Sequence, residues 1–286
     1  MNIAATARKS HGKARRAGNS SAVEAGGRAG FVARGVIYFL VGSLALRIAF
    51  GSDGKGGEGG GAQADRGGAL AEIAQKPFGS VLLWALGVAL VGMTLWRLSE
   101  AAFGASGPDG HKATKRLASA GRAVFYAFVS YSVLLFAAGD RGSGSGSGDA
   151  RSKDITAEAL GMPGGRWLVG VGGVVIAGAG LWILGRAALR KFHKHLRMGE
   201  MSPAVRRAVD ITGVFGGVSR GLVFAVAGGF AVAAAVKARS GEAKGMDDTL
   251  RSFSATPAGP WLLALVAAGL VAFGLFSCAN ARWRKL

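Results

Sequence analysis

Six long apolar runs constrain the fold of this 286-residue chain more than any other feature. A helix needs about 20 mostly apolar residues to cross a bilayer, and each run approaches that length. The runs are too long for the strands of a soluble sheet, and they lack the alternation typical of membrane barrel strands. The sequence therefore predicts an all-α membrane protein with six spanning helices. The predicted spans are residues 31–50, 81–98, 117–139, 167–185, 213–236 and 261–279.

Lysine and arginine are distributed unevenly between the segments that connect these runs. The two tails and the second and fourth loops, counted with Arg97 at the end of the second run, hold 20 Lys and Arg against 5 Asp and Glu. The first, third and fifth loops hold 11 of each kind. Because Lys and Arg concentrate in cytoplasmic loops, we predict a multi-pass plasma-membrane protein with both termini in the cytoplasm. The net charge of +19 then favours anionic lipid headgroups on the cytoplasmic side as partners, and not specific nucleic acid.

The odd-numbered runs share a pattern centred on an arginine. The segment "ARGVIYFLVG" at Ala33 matches "GRAVFYAFVS" at Gly121 and "SRGLVFAVAG" at Ser219. The aligned arginines are Arg34, Arg122 and Arg220. An aromatic residue follows each arginine after four positions, and these are Tyr38, Tyr126 and Phe224.

The even-numbered runs also align, without gaps over twenty residues, from Pro77, Pro163 and Pro257. Fixed repeats of this kind indicate a repeated structural unit, here a hairpin of two helices. Since each unit crosses the membrane twice, all three have one orientation, and parallel repeats are related by an axis along the membrane normal. We therefore predict a disordered basic cytoplasmic tail (1–28) and a pseudo-threefold bundle of three hairpins. The predicted hairpins are residues 29–104, 117–198 and 211–286.

The first unit resembles a known membrane family. The segments "ARGVIYFLVG" and "QKPFGSVLLWALGVALVGMTLWRLSEA" are similar to the mainly actinobacterial family called "domain of unknown function 1206". Its members typically carry three such two-helix units, which would cover nearly the whole chain after the tail. The later units depart from the first, since Arg186 and Asn280 replace Glu100. The resemblance implies a membrane location and a helical fold, but no activity.

The three repeat arginines are the candidate contacts for an anion or an anionic lipid. Two interpretations remain open from the sequence. An arginine near the end of a spanning helix can extend to the interface as an anchor. Alternatively, Arg34 and free backbone N–H groups at the helix N-terminus beside it would together bind a phosphate, such as a lipid headgroup.

Small residues recur every four positions along the fifth run, which places them on one side of a helix. Such a ridge lets two membrane helices approach closely, and we predict a packing role for it. The ridge consists of Gly213, Gly217, Gly221, Ala225, Gly229 and Ala233.

The predicted outer loops combine a Gly/Ser-rich linker with a short helix. Asp65, Asp154 and Asp248 precede these helices, and aspartate is a good N-cap. On the opposite side, the basic segment "GRAALRKFHKHLRMGEMSPAVRRAVD" is predicted to continue the fourth helix as an amphipathic extension at the membrane surface.

Residues that carry chemistry are scarce in this sequence. The apolar runs contain no Asp, Glu, Lys or His, although proton-coupled transporters usually carry acids there. His193 and His195 are too few for a closed metal site, so we predict no metal and no cofactor. We expect a non-enzymatic membrane protein with a structural, regulatory or partner-binding role. The alternative is a small-molecule or lipid transporter, or a lipid-binding protein, that uses the three repeat arginines.

Overall fold

The structure is a computed structural model of the chain, and it describes residues 21–50, 64–104, 112–139, 148–237, 244, 246–254 and 259–285. Six long helices account for most of these residues. They are α1 (Ser21–Phe50), α3 (Gly79–Phe103), α4 (Ala113–Ala137), α6 (Gly165–Ala188), α7 (Pro203–Lys237) and α9 (Gly259–Trp283). The shorter helices are α2 (Arg66–Ala74), α5 (Gly148–Gly161) and α8 (Met246–Ser254), with 3-10 turns at Lys191–His195 and Met198–Glu200.

All six long helices have the length and apolar composition needed to cross a membrane, which confirms the predicted all-helical membrane fold. Two of them begin about ten residues earlier than the apolar runs, because apolar composition marks only the part that lipid surrounds. Helix α1 begins at Ser21, so residues 21–28 are helical and are not part of a disordered tail. The rest of that predicted tail and most of the Gly/Ser-rich linkers lie outside the described residues.

The long helices pack in the spatial order α4, α3, α1, α9, α7, α6, each against the next. The three most extensive contacts are α6 with α7, α1 with α9, and α3 with α4. Each of these joins the second helix of one predicted hairpin to the first helix of another. Within the described residues, α4 and α6 do not pack extensively against each other. The predicted second hairpin therefore has a gap between its two helices.

The two ends of the bundle carry different structures. At the terminal end, the start of α1 meets the end of α9, where Arg28 donates hydrogen bonds to the backbone oxygens of Ala281 (2.7 Å) and Arg282 (2.9 Å). At the opposite end, which we call the short-helix end, α2, α5 and α8 connect the long helices. Lys153 on α5 pairs there with Asp248 on α8 at 2.8 Å.

The predicted helix caps are right once and wrong twice. Asp65 caps α2, and its carboxylate accepts a hydrogen bond from the backbone N–H of Gly68 at 2.8 Å. Asp154 and Asp248 instead lie inside α5 and α8, because both helices begin further upstream. At Asp248, the ion pair with Lys153 uses the carboxylate that the prediction assigned to a cap.

The predicted basic extension of the fourth helix is also wrong. Helix α6 ends at Ala188, and Arg190 adopts the left-handed conformation with φ of 50°, which turns the chain back. The 3-10 turn that follows places His193 against the Asp210 carboxylate at the start of α7. Leu196 is buried and forms an isolated antiparallel bridge with Arg284. The basic loop therefore folds onto the terminal end of the bundle.

Glycines bring α6 and α7 into close contact. A Cβ added at Gly221 would lie 2.6 Å from the backbone nitrogen of Leu184, so only glycine permits this approach. Four residues earlier, Gly217 packs against Ala187 in the same way. The predicted ridge is wrong at Gly229, where an added Cβ would meet nothing within 4 Å. The neighbouring Gly228 makes the next contact instead, because 3.6 residues per turn shift a four-residue ladder around the helix.

A leucine at Gly221 is expected to destabilise the fold, because it would force α6 and α7 apart. Overpacking typically costs about 1–3 kcal/mol, and a lower midpoint of thermal unfolding in detergent would report it. Gly229→Leu is the matched control on the same helix, since open space surrounds that position. Equal unfolding temperatures for the two variants would show that α6 and α7 do not depend on this close approach.

Candidate functional site

A cavity of about 490 Å³ lies between the first, third and fifth spanning helices. Helices α1, α4 and α7 provide most of its wall, and residues of α2 and α5 border it toward the short-helix end. Arg34, Tyr38, Tyr126 and Arg220 all line this cavity. The remaining wall is largely apolar, with Val41, Val129 and Val223 among its residues. Two of the three repeat arginines thus converge on one intramembrane space.

Arg34 is held by side chains from two other helices. Its Nε–H donates to the Ser277 hydroxyl on α9 at 3.1 Å, and Nη1 donates to the Tyr126 hydroxyl on α4 at 3.4 Å. The guanidinium also lies 4.9 Å from the ring centre of Phe31 and 5.2 Å from that of Phe273. Stacking on aromatic rings stabilises a cation most where water is excluded.

Arg220, in the third repeat, has a similar set of contacts. Its Nε–H donates to the Tyr38 hydroxyl on α1 at 2.9 Å. Its guanidinium lies 4.8 Å from the same Phe273 ring, so one aromatic side chain on α9 contacts both arginines. Phe224 and Tyr38 complete the set of rings around it, at 5.3 and 5.4 Å. Each of the two cations is therefore stabilised by a tyrosine of a different repeat.

Neither arginine has a carboxylate partner among the described residues. Hydroxyl groups and aromatic rings are neutral, so no direct ion pair balances either charge; among the described lining residues the one carboxylate is that of Asp65, at the start of α2. A buried cation without a counter-ion is costly, and an anion that enters such a site offsets that cost.

Arg122 does not line the cavity, and its own side chain is exposed. The repeat alignment explains the difference. Arg34 of the first repeat contacts Tyr126 of the second, and Arg220 of the third repeat contacts Tyr38 of the first. By the same pattern, Arg122 of the second repeat would contact the aligned residue of the third repeat. That residue is Phe224, which has no hydroxyl. The residue aligned with Ser277 in the first repeat is Arg97, which repels Arg122. The third arginine lacks both kinds of partner.

The position of Arg34 within its helix excludes part of one sequence-based interpretation. Arg34 lies 13 residues after Ser21, the first residue of α1, so its neighbouring backbone N–H groups are already used within the helix. Arg220 lies 17 residues after Pro203 in α7. Neither arginine therefore lies at the N-terminus of its own helix. Their side chains contact other helices, which differs from an anchor that extends away from the bundle.

The cavity has an apolar opening in its side, on the side where α4 and α6 are apart. Phe125 and Phe128 of α4 and Ile176 of α6 line the cavity, yet they are 51%, 46% and 43% exposed. Apolar side chains with this exposure in a spanning helix face lipid tails. The opening therefore connects the two arginines with the interior of the bilayer.

The partners of the arginines were only partly visible in the sequence. The tyrosines were marked by their four-residue spacing from each arginine, but that spacing did not show that the pairing crosses between repeats. Ser277 and Phe273 gave no signal, since a serine and a phenylalanine are ordinary in an apolar helix. For metals, the described residues contain no group of three or more His, Cys, Asp or Glu side chains with suitable spacing.

Comparison with known proteins places the chain in a family. The family described as "Domain of Unknown Function (DUF1206)" matches three segments, residues 29–104, 117–190 and 215–284, which cover well over half of the sequence. The chain belongs to this family. It is also similar to "Uncharacterized protein YxxB" of Bacillus subtilis (strain 168), with 26% identity over 258 residues, 88% of this chain and 87% of that protein. No solved structure matches the chain significantly.

These comparisons confirm the family that the sequence resembles, and they indicate no specific activity. Neither of them supports the transporter alternative. The DUF1206 chain is a multi-pass membrane protein by its six apolar helices, and its candidate site is defined by the geometry of the cavity alone.

The hydrogen bonds that the arginines donate to Tyr38 and Tyr126 differ in length, and they predict different losses of stability when each hydroxyl is removed. Tyr38→Phe removes a 2.9 Å acceptor and should lower the free energy of unfolding by about 1–3 kcal/mol. Tyr126→Phe removes a 3.4 Å acceptor and should cost less. Thermal unfolding in detergent measures both, with the exposed Tyr131→Phe as control. Equal midpoints for all three variants would contradict a role of these hydroxyls in holding the arginines.

Proposed function

We propose that this protein is a non-enzymatic membrane protein that binds an anionic lipid in the cavity, with Arg34 and Arg220 as its headgroup contacts. The observation that carries the proposal is the convergence of two guanidinium groups on one cavity without a carboxylate partner among the described residues. A phosphate or carboxylate oxygen accepts charge-assisted hydrogen bonds from a guanidinium, and these are about twice as strong as neutral ones.

The shape of the cavity supports a lipid over a water-soluble anion. Its wall is mostly apolar, and the exposed Phe125, Phe128 and Ile176 at its side face the region of lipid tails. A lipid can enter through such an opening without leaving the bilayer, while its tails stay against apolar side chains. A volume of about 490 Å³ takes a headgroup and the first part of its chains, and leaves the rest in the opening.

The finer architecture belongs to the same proposal. We propose that three hairpins surround a pseudo-threefold axis, with the ring open between α4 and α6. The aligned arginines and prolines support this, as does the recurring contact between the second helix of one hairpin and the first helix of another. Arg122 is exposed and does not line the cavity, so the symmetry is broken in the second repeat, whose two helices lie apart. Arg122 is a weaker candidate contact for the anion than the other two arginines.

We also propose a location in the plasma membrane with both termini in the cytoplasm. The surplus of Lys and Arg in the tails and in the second and fourth loops supports this orientation, and anionic headgroups would be attracted to that side. Fusion of a reporter to the C-terminus tests the orientation. A fluorescent protein that matures only in the cytoplasm should fluoresce, and alkaline phosphatase, active only outside, should stay inactive. The opposite pair of results would reverse the topology.

Lipid retention measures the proposed function directly. The wild type and the double variant Arg34→Gln and Arg220→Gln would be purified in a mild neutral detergent and analysed for bound lipid by native mass spectrometry. The wild type should retain anionic lipid. The double variant should bind phosphatidylglycerol at least about tenfold more weakly, since it loses two charge-assisted contacts.

The matched control is Arg47→Gln, which removes the same charge from an exposed position on α1, outside the cavity. It should retain lipid as the wild type does. If all three arginines prove equal, bound lipid follows net charge and the cavity is not the site. If the double variant retains as much anionic lipid as the wild type, the proposed function is wrong.

A further inference from the structure

A second group of arginines lies at the terminal end of the bundle, outside the cavity. Arg97 on α3 is only 5% exposed, and its guanidinium lies 4.2 Å from the ring centre of Trp96. Arg284, just after α9, lies 5.3 Å from the same ring and 5.0 Å from the ring of Phe31. Neither arginine lines the cavity. Two cations that are distant in sequence thus meet at the ring of Trp96.

These two arginines have fewer partners than their burial requires. Arg97 pairs with Glu100 through Nη1 at 2.7 Å, and Ser119 donates to the same carboxylate oxygen at 3.4 Å. The Nε–H groups of Arg97 and of Arg284 are both buried, and no acceptor in the described part of the chain reaches either of them. A buried donor without an acceptor costs about 1–3 kcal/mol, so two in one cluster point to an acceptor from outside the protein.

The electrostatic balance of the cluster agrees with this. Arg122 and Arg186 act electrostatically on the same group, in which Glu100 makes its ion pair with Arg97, and Arg34 also acts on Arg284. Burial, with Arg97 as the next cause, lowers the pKa of Arg284 to about 9. Burial, followed by Arg284 and Arg186, lowers the pKa of the nearby His195 to about 4. Burial is the largest cause of both shifts, and the neighbouring arginines act in the same direction.

We propose that this cluster, Arg97, Arg122, Arg186 and Arg284 with Glu100, is a second anion site that takes a phosphate monoester group. Four arginines against one carboxylate favour a doubly charged anion over a carboxylate with a single charge. A guanidinium presents Nε–H and an Nη–H on one edge, which matches two oxygens of a phosphate. Arg122 is exposed and Arg186 half-buried, so a ligand can approach from the terminal end of the bundle.

Two kinds of ligand carry the phosphate group that this site would bind. Free phosphate or a soluble phosphate monoester would come from the aqueous phase, and the headgroup of phosphatidic acid would come from the membrane. The site is independent of lipid binding in the cavity, because no residue of the cluster lines that cavity. The two groups of arginines approach each other at Phe31, whose ring contacts both Arg34 and Arg284.

Phosphate titration of the full chain in neutral detergent tests the proposal. Thermal unfolding would be followed against sodium phosphate, with sodium chloride balancing the ionic strength, because a ligand of the folded state raises the midpoint. The wild type should show a saturable rise. Arg284→Gln should weaken apparent phosphate affinity at least about tenfold through the loss of a charge-assisted contact. The matched control is Arg282→Gln, an exposed arginine two residues away, which should respond as the wild type does.

Three further experiments complete the test of the phosphate site. Arg186→Gln tests the site if Arg284→Gln does not give folded protein, and it too should weaken the phosphate response. Nanodiscs with phosphatidic acid or phosphatidylcholine show whether the phosphate group comes from a lipid, by a midpoint that rises only with phosphatidic acid. The double variant Arg34→Gln and Arg220→Gln should keep the phosphate response, which separates this site from the cavity.

The inference is overturned if the wild type shows no rise with phosphate at fixed ionic strength and none with phosphatidic acid. It is also overturned if the folded variants of Arg284 and Arg186 respond as strongly as the wild type. A rise that Arg282→Gln abolishes to the same extent would indicate general charge screening and would reject the site.

Discussion

The low polarity of the bilayer interior is the constraint on which this structure depends. A guanidinium at the centre of a spanning helix costs about 3 kcal/mol on insertion scales, and the cost falls only if other groups bind it. Arg34 and Arg220 receive hydroxyl acceptors and aromatic rings from helices that are distant in sequence. Because the hydrogen-bond partners of each arginine lie on other repeats, these contacts hold helices of different repeats together at the centre of the bundle.

Close helix packing provides the rest of the cohesion. In lipid there is little hydrophobic drive between helices, so contact between backbones contributes much of the association. The glycines of α7 let α6 approach to near-contact, although α6 exposes most of its surface elsewhere. At the other end of the packing order, α4 packs against α3 as α6 packs against α7. The two outermost helices of the series are therefore held from one side only, and the gap between them becomes the opening of the cavity.

The two arginine groups differ in how their charge is balanced. In the cavity, neutral hydroxyls and rings hold the cations, and the nearby space can admit a counter-ion. At the terminal end, Glu100 balances one charge among four arginines, and two buried Nε–H groups remain without an acceptor. Both groups favour anions, but they differ in position and in the number of charges. This difference is the reason why we propose a lipid for one site and a phosphate monoester for the other.

The sequence by itself determined the six spanning helices, the family and the equivalence of three arginines, because hydrophobic length and repeated spacing are local properties. The sequence also shows why Arg122 lacks the hydroxyl partner that the other two arginines have, since the aligned residue is Phe224. This can be recognised only once the structure shows that the pairs form between repeats. Tertiary structure alone decided which arginines meet, that α4 and α6 lie apart, and that Arg97 and Arg284 both contact the ring of Trp96. The physical reason is that these contacts bring together residues as much as 243 positions apart, such as Arg34 and Ser277, and their distance depends on how whole helices pack.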